Sequence, residues 1–213
     1  MNAKKLKDAE KSFFERFPGG FHNPLMLEII KKHKPEKMNK LATESFSEDK
    51  FLYPHKVVES MAKVVSQSSM VSIFEKPKFR DFVKALSDSE TERLSHGLFE
   101  FLHGEQGFGF DLMESLLNEY KIAKWPLLTV FGVYYNPSVE ILIKPTTVKN
   151  VIEYFELEGI KYSPKPSYEF YRAYRDQINQ MKKQVDASLQ KDNAAFSGFL
   201  MMTMNNTEAA DLL

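Results

Sequence analysis

The chain has 213 residues, with 29 basic and 29 acidic side chains, five histidines, no cysteine and 18 phenylalanines. Without cysteine it has no disulfide, zinc ribbon, iron–sulfur cluster or thiol nucleophile, and its aromatic surplus excludes extensive disorder. The balanced charge gives no whole-molecule attraction to nucleic acid or to a membrane surface.

The zero is a cancellation between segments. Residues 1–40 carry net +5, 41–84 net +1, 85–120 net −7, 121–183 net +4 and 184–213 net −3. No apolar run approaches the roughly 18 residues of a membrane span. The start, Met1-Asn2-Ala3-Lys4-Lys5, has no apolar stretch resembling a signal peptide. A cytoplasmic protein without a membrane segment is expected. Asn205-Asn206-Thr207 matches a glycosylation sequon and carries no weight without a secretory signal.

Taken in order, the chain reads mostly as helix. Ala3 to Phe17 places Leu6, Ala9, Phe13, Phe14 and Phe17 three and four apart, and Pro18-Gly19-Gly20 ends it. Asn23 caps a helix from Pro24 to His33, and Pro35 opens another to about Phe46. Further helices are expected from His55 to Ser68, Pro77 to Leu86, Ser87 or Asp88 to Leu102, and Phe110 to Tyr120. Leu127 to Tyr135 is β-branched and aromatic and reads as a strand. Asn136-Pro137-Ser138 is then a turn and Glu140 to Lys144 a second strand. Helices follow from Thr146 or Thr147 to Leu157 and from Ser167 to about Gln190, and a short apolar segment, Ala194 to Met204, precedes a polar tail. The expected class is mainly α (α+β), a multi-helix domain with one antiparallel β-hairpin around residues 127–144. The chain reads as one domain over 1–213; a boundary near 122 would divide it into 1–122 and 123–213, but no flexible linker marks it.

Four motifs in order carry a resemblance. They are Phe17-Pro18-Gly19-Gly20-Phe21, Lys124-Trp125-Pro126 leading into Thr129, Ile143-Lys144-Pro145, and Tyr162-x-Pro164-x-Pro166 followed by Tyr171. Their succession resembles a family of bacterial proteins of similar size and unassigned function, over nearly the whole chain. The resemblance implies a more acidic, tryptophan-containing motif near the C-terminus, where this chain has Asp192-Asn193-Ala194-Ala195-Phe196-Ser197-Gly198-Phe199. It implies no activity.

Several constellations are candidates for chemistry. His96, Glu100 and His103 lie at i, i+4 and i+7 of one expected helix, and a Glu-x-x-His pair is what helical carboxylate-bridged metal sites use. No second such pair exists, and His103 also suits the negative end of the helix dipole. Gly19 and Gly20, with His22 beside them, offer a loop whose backbone a ligand or anion could approach; a tight turn anchored by Phe17 and Phe21 explains the same residues. Gly104-x-x-Gly107-x-Gly109 lacks the lysine of a phosphate loop and reads as a flexible helix connection. Lys31, Lys32 and Lys34 form a basic helix end that could track phosphates. Tyr168, Tyr171, Arg172 and Arg175 share a helix face that could stack bases and clamp a backbone, or could pair with the acidic middle of the chain.

No hydrolase or nucleotide-binding signature is present, and no cofactor is implied. The leading expectation is a non-enzymatic helical interaction or scaffold protein, with a protein partner or self-association. The methionines Met201, Met202 and Met204 suit adaptable contacts. The alternatives are a nucleic-acid-associated protein and a metal-dependent enzyme; whether the protein is an enzyme at all is open at this point.

Overall fold

The computed structural model describes residues 1–204. The sequon at Asn205 and the polar tail lie outside the described residues. The helices are α1 (Ala3–Arg16), α2 (Pro24–His33), α3 (Pro35–Ser45), α4 (Pro54–Gln67), α5 (Glu75–Ala85), α6 (Asp88–His103), α7 (Gln106–Glu119), α8 (Trp125–Tyr135), α9 (Pro145–Tyr154), α10 (Tyr168–Lys182) and α11 (Asn193–Met204). Short 3-10 helices span Gly20–His22, Glu48–Leu52 and Ala187–Leu189. None of the helices is long and apolar enough to cross a membrane.

Helix starts follow the local chemistry of the sequence. Asn2 and Asn23 accept backbone N–H bonds at the heads of α1 and α2, and proline occupies the first turn of α2, α3, α4, α8 and α9. Ser87 and Glu90 form a reciprocal capping box on α6. Hydrogen bonds from Ser87 and Tyr120 hold the Glu90 carboxyl below its usual pKa.

The expected β-hairpin is absent, and no strand forms among the described residues. Residues 125–135 are instead a helix with Trp125 through Tyr134 all buried. A helix apolar on every side is one buried on every side. Its uninterrupted apolar run also fits a buried strand, and periodicity cannot separate the two. What decides in favour of helix is the eleven-residue length, with Pro126 in the first turn. Thr129 fits because its hydroxyl bonds the Trp125 carbonyl one turn back, at 2.8 Å. The second expected strand, 140–144, has no regular secondary structure and no partner strand among the described residues.

The two largest boundary differences lie at α7 and α10. α7 begins at Gln106, so Gly107 and Gly109 sit in its first turns rather than in a flexible connection. A side chain at Gly109 would lie 2.2 Å from the Phe101 nitrogen and 2.6 Å from the Gly97 carbonyl. The glycines let the backbones of α6 and α7 touch. α10 stops at Lys182, and the chain turns through a 3-10 helix capped by Asp186.

The core is one connected set of buried side chains drawn from every α-helix. Phe13 meets Phe17, Phe21 and Phe199 at ring separations of 5.1, 5.7 and 5.2 Å, tying both ends of the described chain together. Phe131 of α8 meets Phe46 at 6.0 Å and Phe79 at 6.1 Å. Each such ring contributes about 1.5–3 kcal/mol by burial, and a well-oriented pair roughly 0.5–1.5 kcal/mol more.

Gly109→Ala forces α6 and α7 apart and is expected to destabilise by about 2 kcal/mol or more. Gly198→Ala has open space around the new methyl within α11 and is expected to stabilise by roughly 0.5–1 kcal/mol. Thermal unfolding of the two variants checks both signs.

Candidate functional site

The segment 137–144 crosses between α8, α10 and α11, and its polar groups are taken up by side chains. Asn193, fully buried at the head of α11, donates from Nδ2 to the carbonyls of Val139 (2.8 Å) and Glu140 (3.1 Å). Asn179 donates to Val139 as well, at 2.8 Å, and Ile143 N–H bonds Thr129 Oγ1 at 3.0 Å. The buried Lys182 ammonium reaches the Ser138 carbonyl and Asn193 Oδ1, each at 2.6 Å, and burial lowers its pKa.

At the centre lies Glu140, a buried carboxylate. Tyr171 donates its hydroxyl to Oε2, Gln106 donates to Oε1 at 3.0 Å, and Arg175 Nη1 lies 3.2 Å from Oε1. Arg175 also donates to Gln106 Oε1, and Tyr168 does so at 3.2 Å. Burial, with Glu140 adding to it, drives the Tyr171 pKa far above its ordinary value, so this hydroxyl is a fixed donor. Burial opposes the Arg175 charge, but Glu140 and then Tyr171 outweigh it and the pKa is raised. Burial also raises the Tyr174 pKa. Every group in this cluster has a partner, and neither surface depression described below includes any of them. Its chemistry is that of a clamp.

This arrangement disposes of most of the Tyr/Arg stripe. Tyr171 and Arg175 are inside, Tyr168 is half-buried against Phe110, and Arg172 is exposed, stacked over the Tyr168 ring at 5.9 Å. Lys31, Lys32 and Lys34 are exposed at the end of α2.

The Phe17–Phe21 motif forms a tight turn. Gly19 and Gly20 take left-handed φ values of 86° and 60°, and Phe17 and Phe21 are buried. The N–H groups of Gly20 and His22 bond the carbonyls of Phe17 and Gly19, at 2.8 and 3.1 Å. Those donors are therefore spent within the turn, and His22 points to solvent.

The helical His/Glu/His stripe is divided. Glu100 bonds His96 at 3.3 Å and folds over the end of α6 to accept the Glu105 N–H at 2.8 Å. His103 turns inward, bonding the Phe46 carbonyl at 2.8 Å within rings of Phe51, Phe99 and Tyr135. Among the described residues no group of three His, Asp or Glu side chains is placed to hold a metal ion.

A second polar cluster joins the ends of α2 and α4. His33 Nδ1 lies 2.8 Å from Ser69 Oγ, and Ser68 Oγ lies 2.9 Å from the Tyr134 hydroxyl. Desolvation by surrounding atoms, and then the neighbouring Lys144 charge, push the His33 pKa below 6.5, although part of the ring stays exposed. Desolvation lowers that of Lys144 in turn, though the residue as a whole is exposed. The pair resembles a nucleophile and base, but no carboxylate is bonded to His33 among the described residues.

The surface feature with the clearest chemistry is a shallow open groove between the Glu48–Leu52 3-10 helix and α6. It is lined by Glu48, Phe51, Leu52, Pro54, Glu92, Ser95, His96 and Phe99. Leu52 is 78% exposed. Phe51 and Phe99 meet edge to face at 5.2 Å along the floor, and His96 meets the exposed Phe108 of α7 at 5.9 Å, extending the apolar strip. The lining holds two carboxylates and an imidazole, and neither lysine nor arginine. Nothing in the sequence pattern joined residues 48–54 to 92–99; the acidity of segment 85–120 was the one signal. Comparison with protein-family models, curated proteins and solved structures finds no match to this chain.

Arg175→Ala leaves the Glu140 charge buried without its cation and is expected to cost about 3 kcal/mol in urea unfolding. Adding Glu140→Gln to it is expected to cost less than the two single losses together, because the two groups act as a unit.

His33 gives a pH prediction. Its folded pKa lies below its unfolded one, so protonation opposes folding. Stability is full above the unfolded value of about 6.5 and falls as pH drops through it, levelling below the folded pKa. An NMR titration is expected to place His33 below 6.5, and Lys144→Met to raise it.

Proposed function

We propose that this protein is a non-enzymatic interaction protein, and that the groove of Phe51, Leu52 and Phe99 receives a helical segment bearing apolar side chains beside lysine or arginine. The observation that carries this reading is Leu52, almost fully exposed next to two aromatic rings and ringed by Glu48 and Glu92. An apolar floor with a charged rim is the usual anatomy of a recognition surface. The floor supplies affinity through burial and the carboxylates select a basic partner and speed its encounter. Helix-in-groove recognition fits the open shape. The nucleic-acid alternative is weakened because Tyr171 and Arg175, which it needs on the surface, serve Glu140 instead.

The test is fluorescence anisotropy with a labelled amphipathic peptide of leucines and lysines at helical spacing. Binding at low salt is expected, weakening as salt is added. Leu52→Lys and Glu92→Lys are each expected to lower affinity about tenfold, equivalent to about 1.4 kcal/mol. Both sites are solvent-facing, so melting temperatures stay unchanged. No binding at low ionic strength, or binding indifferent to both substitutions, overturns the proposal.

A further inference from the structure

We propose that the turn between α4 and α5 docks this protein on an anionic lipid surface, with Ile73 and Phe74 entering the acyl region and nearby lysines meeting the headgroups. Ile73 and Phe74 are 73% and 74% exposed, and among the described residues Leu52 is the one large apolar side chain more exposed than they are. The turn that carries them is closed. The N–H groups of Glu75 and Lys76 bond the Ser72 carbonyl at 3.0 and 3.2 Å, and the Phe74 N–H bonds Ser72 Oγ at 3.2 Å. Val71 before the tip and Phe79 after it are buried. The core therefore takes the chain on either side and leaves the two tip residues out. Exposed to this degree, they add little to the burial that holds the fold.

The charge around the tip is basic. Lys76 and Lys78 follow in the first turn of α5. Ser69, four residues before Ile73, is bonded to His33 at 2.8 Å. That bond brings the junction of α2 and α3, with exposed Lys34 and Lys37, to the same end of α4. Lys144, whose charge lowers the His33 pKa, stands there too. Four residues of chain span at most about 14 Å, so the tip is close to all of these. Glu36 and Glu75 are the carboxylates interspersed among the five lysines. Among the described residues no carboxylate pairs with Lys34, Lys37, Lys78 or Lys144. The zero net charge of the chain does not oppose this. At about 0.1 M salt the Debye length is roughly 10 Å, so a bilayer at the tip responds mainly to the charges of this end.

The shape favours lipid over a folded partner. Neither surface depression includes Ile73 or Phe74, so the tip offers a projection without a pocket. A folded protein needs a cavity shaped to receive it, whereas fluid acyl chains close around any apolar projection. Two apolar side chains are a weak anchor alone, and so is a small basic patch; together they are the paired signals that stable attachment takes. No described helix is long and apolar enough to cross a membrane, so the attachment is peripheral.

The experiment is sedimentation of the full chain with vesicles of phosphatidylcholine, alone or with about one-third phosphatidylserine, at about 0.1 M salt. Wild type is expected to bind the anionic vesicles, to bind the neutral ones about tenfold more weakly, and to be released as salt rises. Ile73→Ser combined with Phe74→Ser is expected to lower partitioning about tenfold, and Lys34→Gln combined with Lys78→Gln to do the same. All four side chains are exposed, so melting temperatures stay unchanged. Phe74→Trp places an indole at the tip, and its emission is expected to shift to the blue on binding and to be quenched by lipids brominated along the acyl chain. Trp125 is buried and supplies a constant background. Leu52→Ser is expected to leave vesicle binding unchanged, which keeps this result independent of the groove. No binding to anionic vesicles, equal binding to neutral ones, or binding indifferent to the Ile73 and Phe74 substitutions overturns the proposal. So does an indole that keeps its solvent emission on bound vesicles. If polyglutamate binds and the vesicles do not, the patch is an interface for an acidic protein and the lipid reading fails.

Discussion

A non-helical segment in a helical interior has no neighbouring strand, and the fold depends on how this chain solves that problem. Residues 137–144 bring backbone carbonyls and N–H groups into a region where an unpaired one costs as much as a lost hydrogen bond. A sheet would satisfy them by repetition. Here Thr129, Asn179, Lys182 and Asn193 satisfy them one at a time, from α8, α10 and α11. Each of these bonds fixes both a depth and a register, so the crossing segment is held in one position against α8. Glu140 is the segment's one inward carboxylate, and Arg175, Tyr171 and Gln106 converge on it from α10 and α7. A buried charge set this way adds little net stability compared with an apolar substitute, but no partner can be removed cheaply.

The four ordered motifs of the sequence acquire a physical meaning in these terms. Phe17–Phe21 is a turn whose rings enter the core beside Phe13 and Phe199. Trp125 opens α8 and donates its indole N–H to the Ser163 carbonyl at 2.8 Å, joining the second motif to the Pro-rich fourth. Thr129, one turn on, receives Ile143 of the third. The motifs are junctions around the central helix. Short segments of unusual composition recur there because junctions demand particular backbone angles and particular donors, which interior helical turns do not.

Most helices were legible, because their apolar spacing, caps and prolines are local signals. Asn23-Pro24 and the cap read at Ser87 or Asp88 placed helix starts to within a residue. The central helix was not legible as such, since burial on all sides erases periodicity and leaves only length and the position of Pro126 to arbitrate. The α6–α7 contact was also hidden, because Gly107 and Gly109 read as loop residues until the approach of the Phe101 backbone explains Gly109 and that of the Tyr168 ring explains Gly107. The clamp was legible in half: Tyr171 and Arg175 stood out, but Glu140, Gln106 and Asn193 are far apart in sequence and ordinary in context. An arginine among tyrosines looks identical whether its partner is a phosphate outside or a carboxylate within.

Where a polar group is spent decides what remains for function. His103 is committed to the Phe46 carbonyl, Glu100 to the Glu105 N–H, and Arg175 to Glu140 and Asp176. The glycine turn has closed its donors on itself. The three constellations most suggestive of chemistry are therefore largely consumed in holding helices together. What stays exposed has a different character: Leu25 and Leu27 are 43% and 50% exposed on α2, and Leu52 is 78% exposed beside the half-buried Phe51 and Phe99 near α6. Burying these requires a second surface. The buried polar groups of this molecule are therefore structural, and the apolar side chains that stay exposed are those its own core does not use.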